Sequence, residues 1–235
     1  SPDRRNTGGL PFFYIPQGTH RSIENLSFEF REQTKRGHWE HKGGNAIWHD
    51  GTDSWLRNLY FKNADHAMIV HGTNITGQNL IFDQFIARNK IKIEVEGSAV
   101  GHMAVNMNDA HNNVFNNVLI TGKWSHVFDV KGNSGNVVSA VRSKRGVVAY
   151  HGLNSNRNLY TDLQVTDGSV GSIGSDPEQN IYWNAHSTAD KPLGKVLIDY
   201  PYNNDANAND HVLVGMEIDP IEYPTKITSN FWYEV

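Results

Sequence analysis

The sequence predicts an all-β fold: a right-handed parallel β-helix, or solenoid, of stacked coils of about 20–25 residues with an irregular C-terminal extension. Three observations predict it. Short apolar runs repeatedly end in a polar residue and a glycine, a second motif places asparagine before an apolar residue, and no useful helical periodicity lies between them. A unit this short cannot bury its own apolar face, so successive units must stack.

The first motif puts a glycine after each apolar run, at spacings of 21, 25, 35 and 20 residues. These glycines are Gly51, Gly72, Gly97, Gly132 and Gly152. Because glycine adopts the left-handed conformations that tight turns need, we expect the five to stack at one corner. The spacing of 35 residues exceeds one coil, and the surplus predicts a long loop over residues 98–112.

The second motif is an asparagine followed by an apolar residue. The asparagines are Asn25, Asn58, Asn79, Asn117 and Asn158, and the residues after them are Leu26, Leu59, Leu80, Val118 and Leu159. Stacked asparagines can form a ladder of side-chain amides, and the apolar residues are expected to form one buried column. A β-sandwich with chance similarity between motifs is the alternative.

The repeat and the composition define the domain and exclude some classes of function. Coils are predicted over residues 1–168, and residues 169–235 are expected to cap the last coils as irregular loop and strands; we expect the chain to belong to a longer protein. The net charge of −4 gives no basic surface for nucleic acid. No apolar run is long enough to predict a membrane span. The absence of cysteine excludes disulfides and thiolate metal sites.

Equivalent positions of stacked coils form columns about 4.8 Å apart along the stack. The column two residues before the glycines is mainly apolar and is predicted to point inward: His49, Val70, Val95, Val130 and Tyr150. The residues one position and three positions before each glycine form two further columns, and both lie on the opposite face of the strand. One contains Asp50, His71, Glu96, Lys131 and His151, and the other contains Trp48, Ile69, Glu94, Asp129 and Ala149.

This outer face carries the residue types that proton abstraction next to a carboxylate requires. A base such as His151 or Lys131 takes the proton, and a cation neutralises the charge that develops. Glu94, Glu96 and Asp129 offer the carboxylate oxygens that Ca²⁺ prefers, which predicts a calcium site. His71, Glu96 and Trp48 are expected to contact substrate. His102, Asp109 and His111 are further candidates in the long loop. The alternative is a solvated outer sheet with weak ion pairs.

The repeating Asn-Leu-x-Phe and His-Gly turns resemble the pectate-lyase-like superfamily of right-handed β-helices over roughly residues 20–168. Lys131-Gly132 followed by Tyr150-His151-Gly152 is also similar to the alginate and dermatan lyases of that fold, where Lys-Ser or Lys-Gly precedes Arg-His-Gly by about one coil. The resemblance implies catalytic roles for Lys131, His151 and Tyr150, and Tyr150 stands where the family has its arginine. Arg142, Lys144 and Arg145 are candidates for the missing cation, and Arg145 is also expected to contact substrate.

The sequence thus predicts a secreted, extracellular or cell-surface, carbohydrate-active protein that binds a polysaccharide or oligosaccharide. A lyase-like enzyme acting on an acidic polysaccharide is favoured, with a glycoside hydrolase as an allied possibility. The alternatives are a non-catalytic carbohydrate-binding or adhesin module and a segment of a phage tailspike. Neither nucleic acid nor membrane is an expected partner, whereas other domains of the same chain are.

Overall fold

The computed structural model describes residues 11–31, 44–84, 101–150, 155–173, 179–187, 196–200 and 212–214. The described residues form thirteen β-strands and no helix. The strands are β1 (Phe13–Ile15), β2 (Ile23–Glu29), β3 (Ile47–His49), β4 (Ser54–Lys62), β5 (His66–Val70), β6 (Ile75–Asp83), β7 (Gly101–Asn108), β8 (Val114–Lys131), β9 (Val137–Tyr150), β10 (Leu159–Ile173), β11 (Ile181–Ser187), β12 (Val196–Tyr200) and β13 (Val212–Val214).

All strand pairs are parallel, which confirms the predicted all-β class and its parallel pairing. One series of pairs joins β1, β3, β5, β7, the second halves of β8, β9 and β10, and β12, and we call it the first ladder. The other joins β2, β4, β6, the first halves of β8, β9 and β10, β11 and β13, and we call it the second ladder. One passage of the chain through both ladders is called a coil here.

The core lies between the ladders and is built from columns of equivalent residues. One column stacks aromatic rings: Phe28 on Phe61, with centroids 5.2 Å apart, and Phe61 on Phe82, at 4.9 Å. The neighbouring column contains Leu26, Leu59, Leu80, Val118, Val141, Leu163 and Ala185. Apart from Leu26, all of these are buried, so the alternating apolar residues of each strand supply the hydrophobic stabilisation.

Two members of the predicted leucine column need correction. Leu159 pairs with Val137 and Ile181 and therefore belongs to another column. Leu163 takes the position in the core column that was predicted for Leu159. Leu26 is in register with Leu59 but is 43% exposed, because among the described residues β2 pairs only with β4. An end strand lacks the second neighbour that buries the rest of the column.

The asparagines form two ladders instead of one. Asn25, Asn58, Asn79 and Asn117 lie on the exposed side, and each later side-chain amide donates to the one before it at 2.8–2.9 Å. Asn158 belongs to a separate buried ladder of Asn113, Asn136, Asn158 and Asn180. There the side-chain oxygens accept backbone N–H groups from the preceding coil. Satisfying such buried backbone groups is a requirement of stable packing.

Gly51, Gly72 and Gly132 lie at one corner, but glycine is needed at these positions for different reasons. A Cβ on Gly72 would lie 1.9 Å from the Gly51 carbonyl oxygen, so the close approach of adjacent coils requires glycine at position 72. A Cβ on Gly51 would lie 2.9 Å from the His49 ring and 3.0 Å from the Gly18 carbonyl oxygen. Only Gly132 of the three has a left-handed φ, at 61°. Gly97 and Gly152 lie outside the described residues.

The third coil differs from the prediction. Residues 98–112 were expected to form a loop, yet Gly101–Asn108 is the strand β7, between β5 and β8. Asn106, Met107 and Asn108 therefore hold the column positions predicted for Glu94, Val95 and Glu96. Asp109 takes the place of Gly97, with a φ of 49°, since aspartate tolerates the left-handed conformation better than most residues.

Parallel pairing also continues beyond residue 168, where the regular coils were expected to end. The strand β11 pairs with β10 from Ile181 to Ser187, and β13 pairs with β11. These strands extend the second ladder in the same register as the earlier coils.

Candidate functional site

The two outward columns of the first ladder differ in exposure. Trp48, Ile69, Asn106 and Asp129 form one of them and are all buried, Trp48 at 3% exposed and Asp129 at 4%. This column is not the solvated face that the alternation predicted. The next column contains Asp50, His71, Asn108 and Lys131, which are partly buried or exposed. Side chains that could meet a ligand therefore follow the strands directly, at the glycine corner.

Asp50 is the centre of a group of side chains at this corner. The Tyr14 hydroxyl donates to Asp50 Oδ2 at 2.9 Å, and the Trp48 indole N–H donates to Asp50 Oδ1 at 2.5 Å. His71 Nδ1 lies 3.5 Å from the same Oδ1. The Trp48 and His71 rings meet edge to face with centroids 4.8 Å apart. We call Tyr14, Trp48, Asp50 and His71 the Asp50 group.

Three adjacent coils supply this group. Tyr14 is in β1, Trp48 in β3, and His71 follows β5, and the registers Tyr14–Trp48–Ile69 and Ile15–His49–Val70 align them. Asp50 and His71 each come one residue after an aligned strand end. Their proximity thus follows from parallel stacking, which places equivalent turn residues of neighbouring coils about 4.8 Å apart.

The group holds two titratable side chains in their neutral forms. Burial lowers the pKa of His71, although the charges of Asp50 and Asp109 oppose that shift. The hydrogen bond to Asp50, with smaller contributions from burial and the carboxylate charge, raises the pKa of Tyr14. At neutral pH His71 is therefore a proton acceptor and Tyr14 a proton donor, as paired acid and base groups require.

A second histidine closes the turn beneath the group. The Gly51 N–H donates to His49 Nδ1 at 3.1 Å, so Nδ1 carries no proton, and His49 Nε2 donates to the Arg21 carbonyl oxygen at 3.0 Å. Burial lowers the pKa of this fully buried ring, opposed mainly by the Arg21 carbonyl oxygen. His49 is therefore a neutral structural residue of the turn.

The predicted site residues are only partly brought together. His71 and Trp48 are in the Asp50 group, and Lys131 is exposed in the His71 column two coils away, about 10 Å along the ladder. Asp129 is buried in the adjacent column. Tyr150 pairs with Val130, and Arg145 pairs with Asp167, through their backbones.

Glu94, Glu96 and His151 lie outside the described residues, so the roles assigned to them stay predictions. The same holds for the calcium site formed by Glu94, Glu96 and Asp129, although the column positions that suggested it belong to Asn106 and Asn108. The structure adds Tyr14 and Asp50 to the candidates. Asp50 could have been found from its place before Gly51, whereas Tyr14 precedes no turn glycine in the sequence motif.

Comparisons with protein-family models, with curated proteins and with solved structures find no match for this chain. Among the described residues there is no helix long and apolar enough to cross a membrane.

Proposed function

We propose that this chain is a right-handed parallel β-helix that acts on an acidic polysaccharide by β-elimination, with the Asp50 group as its catalytic site. The observation that carries the proposal is the contact of Asp50 with both His71 and Tyr14 at a partly exposed corner. A base held neutral and an acid held protonated, on either side of one carboxylate, are the two proton-transfer groups that an elimination needs.

In this reaction His71 removes the proton from the sugar carbon next to the uronic acid carboxylate. Asp50 orients the ring through Nδ1, which leaves Nε2 as the accepting atom. The electron pair of the broken C–H bond forms the new double bond, and the bond to the glycosidic oxygen breaks. Tyr14 donates its proton to that leaving oxygen. The proton that His71 has accepted then passes to solvent, and Tyr14 takes one proton from solvent, which restores both groups.

The negative charge that develops on the uronic acid carboxylate must be neutralised. Lys131 is the exposed cation in the same column as His71, and an extended sugar chain lying along the column would pass both residues. We assign Lys131 to binding a substrate carboxylate. This gives Lys131 a binding role in place of the catalytic role that the resemblance implies.

A non-catalytic carbohydrate-binding module is the second candidate, because exposed aromatic rings are present on both ladders. Tyr14 is 46% exposed on the first ladder, and Trp55 and Trp183 are exposed on the second. The Arg57 guanidinium lies over the Trp55 ring, 5.6 Å from its centroid. Flat aromatic faces bind sugar rings without any chemistry.

The test measures turnover and binding on alginate, dermatan sulfate and polygalacturonate, with the ultraviolet absorbance of the unsaturated product as the readout. His71→Ala should lower kcat by about 10²–10⁴-fold while binding is retained, which is the usual contribution of a general base. Lys131→Ala should mainly raise KM. His20→Asn removes an exposed histidine from another turn and should change neither. Binding without any unsaturated product from the parent would favour the module instead.

A further inference from the structure

A second cluster of titratable side chains lies at the edge of the first ladder where the strands begin, whereas the Asp50 group lies at the edge where they end. Asp65 directly precedes β5, His66 is the first residue of β5, and His102 is near the start of the neighbouring strand β7. His126, on β8, is in register with Met103, one residue after His102. The four remaining residues of β5, 67–70, separate His66 from His71, so the cluster plays no part in the proposed elimination.

The side chains of this cluster converge. His66 Nε2 lies 2.9 Å from His102 Nδ1, and one potential ligand atom each from Asp65, His66 and His102 lie within 4.8 Å of one another. The ring centroids of His66 and His102 are 4.8 Å apart, and those of His102 and His126 are 5.7 Å apart. Two imidazole nitrogens at hydrogen-bond distance share one proton, so both are directed at the same point.

The cluster is also deeply buried, since Asp65, His66, His102 and His126 are each less than a tenth exposed. Charged or titratable side chains rarely reach this degree of burial unless they are paired or coordinate a metal. A hydrogen-bonded pair accounts for two of the histidines. One potential ligand atom each of Asp65, His66 and His102 therefore lie close together in the interior, where the neighbouring strands β5 and β7 begin.

We propose that Asp65, His66 and His102 bind one transition-metal ion of the Zn²⁺ type, with His126 as the nearest candidate for a fourth ligand. Zinc takes imidazole nitrogen and carboxylate oxygen at about 2.0–2.2 Å in tetrahedral geometry, which sets its ligand atoms about 3.3–3.6 Å apart. The two histidine nitrogens need to separate by a few tenths of an ångström, and the carboxylate oxygen needs to approach by about 1 Å.

The donor set also selects the class of ion. Calcium and magnesium require six or more oxygen ligands, and this cluster offers one carboxylate among imidazoles. Imidazole nitrogen suits Zn²⁺, Ni²⁺, Cu²⁺ and Co²⁺. The ion would differ from the predicted calcium in both place and ligands. It would fasten two strands whose histidines are 36 residues apart in the sequence and so hold together the coils that flank the largest insertion in the repeat.

The first test is thermal unfolding of the metal-free chain with added Zn²⁺ or Ca²⁺. At a hundredfold excess over Kd, Zn²⁺ should raise Tm by about 5–10 °C, and Ca²⁺ should leave it unchanged. His102→Gln and Asp65→Asn should each abolish most of the rise. His20→Asn removes an exposed histidine elsewhere and should retain all of it. A rise that persists in both cluster variants would overturn the proposal, because the ion would then bind at another site.

The second test takes its deciding result from the parent chain, so that result does not depend on whether the variants fold. Co²⁺ added to the parent chain at one equivalent should give the visible absorption bands of a tetrahedral site with nitrogen ligands, and one equivalent of Zn²⁺ should displace them. His126→Gln should change these bands if His126 is the fourth ligand. A parent spectrum indistinguishable from that of hydrated Co²⁺ would show that no such site forms and would overturn the proposal.

Discussion

Two asparagine ladders run along the stack, and the asparagine side chain has a different structural role in each. Along the exposed ladder, Asn25, Asn58, Asn79 and Asn117 all have left-handed φ values of 53–58°, and their amides bond to one another. Along the buried ladder, Asn113, Asn136 and Asn158 are absent from the left-handed region. Their side-chain oxygens and those of Asn180 accept backbone N–H groups instead.

The difference shows what asparagine contributes at each place. On the exposed side asparagine tolerates a corner conformation that most residues avoid, and water could satisfy its amide. On the buried side asparagine satisfies backbone groups that no water reaches, so it cannot be exchanged for an apolar residue without leaving them unpaired. The two ladders should therefore respond very differently to the same substitution.

Asn136→Ala should have the largest effect. The Asn136 side chain accepts the Asn113 N–H at 2.9 Å and donates to the Ala110 carbonyl oxygen at 3.0 Å. Both backbone groups would lose their partners in the interior, at about 1–3 kcal/mol for each. Urea denaturation should thus show a loss of about 2–6 kcal/mol in the free energy of unfolding.

Asn79→Ala is the matched control on the exposed ladder. Its amide bonds to Asn58 and Asn117 can be replaced by water, and the remaining cost is that of placing alanine at a φ of 54°. That cost is about 1 kcal/mol. Equal losses in the two variants would mean that burial of the amide does not decide its contribution, which contradicts the comparison.

The sequence predicted the parallel coils because the alternation around Leu59, Leu80 and Val118 is directly visible in it. It could not separate the two asparagine ladders, since a single Asn-Leu motif describes both Asn79-Leu80 and Asn158-Leu159, and only the register tells them apart. The third coil was misassigned because residues 93–97 carry the apolar-glycine pattern, whereas the strand in the ladder ends at Asn108 and turns at Asp109.

The candidate site was predictable to the extent that it follows the columns. His71 and Trp48 were identified because they stand next to a turn glycine in the repeat. Tyr14 was missed, because Pro16 follows its strand where the other coils have a polar residue and glycine. The pairing of His66 with His102 was also beyond the sequence, since it depends on the register across the insertion.

The next prediction concerns pH. It compares the turns in which an asparagine side chain accepts a backbone N–H with the turn in which His49 does so. His49 Nδ1 accepts the Gly51 N–H, as an asparagine oxygen does elsewhere, but imidazole can be protonated. Burial lowers its pKa in the folded chain below the ordinary value of about 6.5. The unfolded chain then binds the proton more readily, so stability is complete above about pH 6.5 and falls as the pH decreases below it.

Urea melts between pH 7.5 and pH 5 measure this effect. One group cannot contribute a slope above about 1.4 kcal/mol per pH unit. His49→Asn keeps an acceptor near the Gly51 N–H and cannot titrate, so its slope should be smaller than that of the parent. His71→Asn is a needed companion, because burial lowers the pKa of His71 in the same direction. A variant of His49 with an unchanged slope would assign the acid sensitivity to other groups.

The smallest effect is expected where the exposed ladder is interrupted. Ala140 lies between Asn117 and Asp162 in register and has a φ of 50°, so alanine occupies a corner where the other coils have asparagine or aspartate. Ala140→Gly should change stability by less than about 0.5 kcal/mol, because relief of the left-handed strain is offset by the greater freedom of glycine in the unfolded chain. This variant isolates the contribution of conformation.

Ala140→Asn should instead gain about 0.5–1 kcal/mol, since asparagine accepts the corner conformation and its amide can donate to Asn117. The next position limits that gain, because the Asp162 carboxylate accepts from Asn184 at 2.7 Å and has no N–H to donate to a new oxygen at position 140. Asp162→Asn would supply that donor. The double variant should therefore be more stable than the sum of the two single changes, and a double-mutant cycle measures this coupling. If Ala140→Asn were no more stable than Ala140→Gly, bonds between exposed amides would contribute nothing measurable, and the corner conformation alone would explain the asparagines of this ladder.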